Sequence, residues 1–129
     1  MKKLASIDVG LKRIGVAICL EGGIVVPQTA IFRKNRDQAS RDVDLFLKEW
    51  KIDILVVGVP KGGSSEEGMT RGIEYFVSLL KFNGRVEYQD EYGSSLEAKE
   101  IMKGVIKQKK DGKIDSMAAK IILDRWLVR

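Results

Sequence analysis

Three apolar segments joined by very short turns constrain this chain more than anything else in it. Leu4 to Val9, Ile14 to Leu20 and Val25 to Ile31 are connected by a turn at Gly10 and by Glu21-Gly22-Gly23. Connections of that length leave no room for a crossover, so the three segments must lie side by side as antiparallel strands. After Ile31 the apolar period lengthens. Ala39, Val43, Phe46, Leu47 and Trp50 recur at helical spacing with charges between them, which predicts an amphipathic helix over Asp37 to Trp50. Ile54 to Val59 is then an apolar run of strand length, the pattern of a parallel strand covered on both faces.

The second half alternates in the same way. A glycine- and serine-rich loop from Lys61 to Gly68 leads into a helix over Thr70 to Phe82, and Arg85 to Asp90 reads as a fifth strand. Ser94 and Glu97 have the spacing of a capping box at the start of a third helix, which Gly104 ends or interrupts, and a last helix runs from Asp115 to Leu127. Right-handed crossovers place the fourth strand beside the first and the fifth beyond it. The expectation is an α/β protein with a five-stranded mixed sheet, order 3-2-1-4-5, flanked by helices, which is the order of the ribonuclease H fold. At 129 residues, positions 1–129 make one domain.

Composition removes several chemistries. The chain has no histidine and a single cysteine, Cys19, in an apolar strand. Imidazole bases, Ser-His-Asp triads and thiolate or imidazole zinc sites are therefore out of reach. Carboxylates, lysines, tyrosines, hydroxyls and hard oxygen-loving cations such as magnesium or manganese remain. No apolar run is long enough to span a membrane and no secretory leader is visible, so a cytoplasmic protein is expected. The net charge of +5 leans toward a polyanionic partner.

Asp8 is the anomaly in the first strand. An aspartate between Ile7 and Val9 is a poor strand former and is costly to half-bury without a cation or donor. Before a glycine it can equally serve as a turn residue bonded to its own backbone. The hairpin tip that follows is basic, with Lys12 and Arg13.

Taken together, Ile7-Asp8-Val-Gly10-x-Lys12-Arg13-Ile14-Gly15-Val16-Ala17, Val57-Gly58-Val-Pro60 with Glu67-Gly68, Asp90-Glu91, and Ile114-Asp115-Ser-x-Ala118-Ala119-x-x-Leu123 resemble the YqgF (RuvX) family over almost the whole chain. The resemblance implies the ribonuclease H fold, a likeness to Holliday junction resolvases and nuclease action at the 5′ end of precursor 16S rRNA in ribosome biogenesis. It implies a magnesium- or manganese-dependent phosphodiester hydrolase whose metal-binding and catalytic acids are Asp8, Glu91 and Asp115. Physical chemistry agrees, because metal-assisted cleavage needs several carboxylates converging on one point.

Glu91 stands about two strand spacings of roughly 4.8 Å from the first strand. Gly58, on the intervening strand, would leave room for it to extend. Asp90 should face the other way by strand alternation. Lys12, Arg13, Lys61, Arg71, Lys107, Lys109 and Lys110 are the candidates for contacts to a nucleic-acid backbone. The chain departs from the family in having Tyr92-Gly93 after Asp90-Glu91, where Arg-Leu is usual, and Lys61 and Ser64 in the loop after Pro60. Two other functions stay open: a junction-resolving DNA nuclease, which would act as a dimer, and a non-catalytic RNA-binding assembly factor of the ribosome or its small-subunit precursor. Monomer and homodimer are both compatible with the sequence.

Overall fold

The computed structural model of the protein describes residues 2–20, 23–60, 66–103 and 112–128. The elements are β1 (Leu4–Val9), β2 (Arg13–Cys19), β3 (Val25–Phe32), α1 (Arg36–Glu49), β4 (Ile54–Val59), α2 (Glu66–Ser78), β5 (Arg85–Asp90), α3 (Ser94–Met102) and α4 (Lys113–Leu127). The five strands form one sheet in the order β3-β2-β1-β4-β5. β1, β2 and β3 are antiparallel neighbours, whereas β4 runs parallel to both β1 and β5. The mixed sheet expected from connection lengths and right-handed crossovers is the one observed.

Strand alternation sorts the core into two layers. Ala5, Ile7, Val16, Leu55 and Val57 point to one face, where Val43 and Leu47 of α1 and Ile73 and Phe76 of α2 cover them. Leu4, Ala17, Cys19, Ile54 and Val56 point to the other, beneath Ala119, Ile122 and Leu123 of α4. α3 packs beside α4 through Ala98, Ala118 and Ile121. Cys19 is buried in the second layer, and burial pushes its thiol up. It is a core residue. Among the described residues, no helix is long and apolar enough to cross a membrane.

Helix ends differ from the sequence expectation, each for a local reason. α1 is capped by Asn35, whose side chain accepts from the Gln38 backbone N–H at 2.8 Å while the Gln38 side chain accepts in return. The expected capping box at Ser94 and Glu97 is absent. Gly93, at φ +76°, is the N-cap of α3 and makes no side-chain cap, while Ser94 is buried as the first helical residue. A left-handed glycine turns the chain so that the Ser94 N–H reaches the Glu91 carbonyl at 2.9 Å.

α2 begins at Glu66 and stops at Ser78, about one turn earlier at both ends than expected. Its last turn tightens through bonds from Leu79 to Phe76 and from Leu80 to Val77, and the Asp44 carboxylate of α1 then takes the Lys81 N–H at 3.0 Å. α4 starts at Lys113, so Asp115 is its third residue.

Candidate active site

Asp8 lies near the end of β1, opposite Gly15 in the β1–β2 ladder and on the face that α4 covers. Glu91 is the first residue after β5, and its N–H extends the ladder to the Val59 carbonyl at 2.9 Å. Between them stands β4. At Gly58 a Cβ would lie 2.9 Å from Glu91 Oε2, 3.3 Å from Glu91 Cβ and 2.5 Å from Ile122 Cδ1. The missing side chain is therefore the opening through which Glu91 crosses β4 and reaches Asp8. Asp90 faces the opposite way. Its carboxylate accepts the Tyr92 N–H at 2.9 Å and shapes the turn.

The Asp8 and Glu91 carboxyl groups meet across this opening, close enough to interact by charge and, when Asp8 holds its proton, through a hydrogen bond. Burial comes first among the causes that push Asp8 from 3.8 up to about 8, followed by that hydrogen bond, the charge of Glu91 and the charge of Asp115. Two acids gathered in a poorly solvated place hold either a proton or a cation.

Asp115 is brought to this place by a second missing side chain. A Cβ on Gly15 would stand 1.9 Å from the Asp115 carbonyl oxygen and 2.8 Å from the Ser116 nitrogen, so only glycine lets the start of α4 rest on β2. Two buried hydrogen bonds fasten it there. The Val16 N–H donates to Ser116 Oγ at 3.1 Å, where the β2–β3 register slips, and Ser6 Oγ donates to the Ala119 carbonyl at 2.6 Å. Arg13 Nε donates to Asp115 Oδ2 at 2.8 Å.

Among the described residues, no three acidic, histidine or cysteine side chains are closed up to the spacing of a coordination sphere. Asp8 and Glu91 face each other, and Asp115 is engaged by Arg13 while remaining close enough to act on Asp8 by charge. The donor set still suits a hard divalent cation, because all three groups offer carboxylate oxygen, and among the described residues the ion pair these acids make is that of Arg13 with Asp115.

The basic candidates disperse. Lys12 sits exposed on the hairpin tip, whose turn is held by the bond from Gly10 N–H to the Arg13 carbonyl and by Arg33, which donates from Nη1 to the Gly10 carbonyl at 2.9 Å. Arg71 is exposed on α2, which covers the other face of the sheet from the acids. Lys61, Lys107, Lys109 and Lys110 lie outside the described residues. Sequence reasoning missed Arg125, whose Nη1 donates to the carbonyls of Asp90 at 3.2 Å and Tyr92 at 2.9 Å. Its partners are backbone oxygens, which leave no mark in a sequence.

A sheet of order 3-2-1-4-5 with carboxylates gathered at the end of its central strand defines a ribonuclease H-like protein. Solved structures agree on the fold: Thermus thermophilus RuvC, determined with a Holliday junction substrate, superimposes with a TM-score of 0.59 at 11% identity, covering 99% of this chain and 96% of its own. The family model described as "RuvX: Holliday junction resolvase" matches residues 2–129, and the chain belongs to that family. A relative from Sulfurovum sp. (strain NBC37-1), named as a candidate pre-16S rRNA nuclease, is 67% identical over 125 residues, 97% of this chain and 98% of the relative. One from Sulfurimonas denitrificans with the same name is 52% identical over 125 residues, 97% and 96% of the two chains.

Proposed function

We propose that the chain is a single-domain, metal-dependent nuclease that processes the 5′ end of precursor 16S rRNA in the cytoplasm, with magnesium or manganese held by Asp8, Glu91 and Asp115. The observation that carries this reading is the meeting of the Asp8 and Glu91 carboxyl groups across the opening at Gly58, where burial first and the neighbouring acids next push Asp8 up to about 8. The names of the relatives support the substrate, and the net charge of +5 suits a polyanion.

A divalent cation at these acids would polarise the scissile phosphate and lower the pKa of the attacking water. The chain's own residues do the rest. Asp8 on β1 and Glu91 just after β5 present carboxylate oxygens on one face of the sheet. Arg13 donates to the Asp115 carboxylate and fixes its direction from the third position of α4. Gly58 and Gly15 bring backbone and acid close enough for this arrangement. Lys12, on the exposed tip, adds a salt-sensitive contact to the phosphate backbone.

The test is cleavage of a short RNA spanning the immature 5′ end of 16S rRNA, beside a four-way DNA junction, with manganese or EDTA and with Asp8→Asn as control. Metal-dependent cutting of the RNA, lost in the variant, is expected. Preference for the junction, with paired symmetric cuts by a dimer, would move the function to DNA resolution. Binding without cutting of either substrate would make the protein an assembly factor on the ribosomal small-subunit precursor.

A further inference from the structure

The turn after β5 sends two neighbouring side chains in opposite senses. Glu91 crosses Gly58 toward Asp8, whereas Tyr92 stands 72% exposed. An exposed aromatic ring on a loose loop would be ordinary. This turn is instead tied at each step: Glu91 N–H to the Val59 carbonyl at 2.9 Å, Tyr92 N–H to Asp90 Oδ1 at 2.9 Å, and Ser94 N–H to the Glu91 carbonyl at 2.9 Å. Arg125 closes it from α4, with Nη1 donating to the carbonyls on both sides of Glu91, those of Asp90 and Tyr92. The backbone that positions the acid thus also fixes the point from which the ring next to it projects.

A tyrosine has no charge with which to anchor a phosphate, but its flat face can stack on any base. Stacking requires a base that is not already stacked and paired in a duplex. A ring on a pre-ordered backbone loses little freedom when it is covered, so more of the contact appears as affinity. We propose that Tyr92 is a stacking platform for an unpaired nucleobase immediately beside the phosphate that the Asp8–Glu91 site receives. The ligand class is single-stranded nucleic acid, or a duplex with an unpaired nucleotide at the cleaved position. The proposal rests on the nuclease reading above.

The probe is a single-stranded RNA carrying 2-aminopurine at successive positions across the immature 5′ end of 16S rRNA, bound to Asp8→Asn protein so that no cleavage intervenes. Fluorescence should be quenched at one position. Adding Tyr92→Ala should remove the quench and weaken binding about 10-fold, whereas Tyr92→Phe should keep both. Affinity for an uninterrupted duplex of the same sequence should not change with Tyr92→Ala. Melting curves check that the exposed substitution leaves the fold intact. Unchanged quenching and affinity in Tyr92→Ala would overturn the platform while leaving the nuclease reading in place. Absence of any RNA or DNA binding by the parent would overturn both.

Discussion

Asp8→Asn tests the acid pair without any substrate. In the unfolded chain Asp8 loses its proton near pH 4, whereas in the folded protein it holds the proton up to about pH 8. Between those values the folded state binds more protons than the unfolded one, so this residue's contribution to stability falls as pH rises. Three pH units, from 5 to 8, at about 1.4 kcal/mol each set a ceiling of about 4 kcal/mol on the loss. Glu91 follows a strand end and can swing toward water, which leaves an expected loss of about 1–2 kcal/mol. Asparagine keeps the shape and can donate an N–H to Glu91, so the variant should escape most of this loss. In EDTA, the melting temperature of Asp8→Asn should gain on the parent by about 4–8 °C between pH 5 and pH 8. Manganese at pH 8 should raise the parent's melting temperature and leave the variant's nearly unchanged. Melting curves that run parallel across pH, or a variant that loses stability relative to the parent at pH 8, would refute the raised proton affinity of Asp8.

The other expectations concern the packing that builds the site. Gly58→Ala places a methyl against Glu91 and Ile122, whose flexible ends can shift, so it should cost about 1–3 kcal/mol in denaturant unfolding. The same substitution should slow cleavage about 100-fold by displacing an acid. Gly15→Ala meets backbone instead of a side-chain tip and must lift the start of α4, so urea melts should show a loss of about 3 kcal/mol or more. Asn35→Ala removes the cap of α1, on the face of the sheet away from the acids. It should cost about 1 kcal/mol by urea unfolding with cleavage rates unchanged.

What could be read from sequence divides along physical lines. β4 and β5 fall where expected because turn residues bound an apolar run on one side and a short alternating segment on the other. The reach of Glu91 was legible because Gly58 sits in a strand that otherwise carries large apolar side chains. The cap of α3 and the start of α4 were not, since both rest on glycines at positive φ, Gly93 and Gly112, and a backbone angle has no letter. The end of α2 was set by Asp44, 37 positions before Lys81. Arg13 was expected on phosphate, and its pairing with Asp115 across 102 positions depends on a helix docking that only the packing at Gly15 reveals.

The fastening of α4 to the first hairpin also sets an order on assembly. Ser6 and Ala119 are 113 positions apart, Arg13 and Asp115 are 102 apart, and Val16 and Ser116 are 100 apart. During synthesis at roughly 5–20 residues per second, the first strands therefore wait roughly 5–20 s for the helix that carries Asp115. Until then Asp8 lies beneath an uncovered sheet face without Asp115. On the proposal that Asp8, Glu91 and Asp115 form one site, a nascent chain that has not yet folded α4 onto β2 has assembled only part of it.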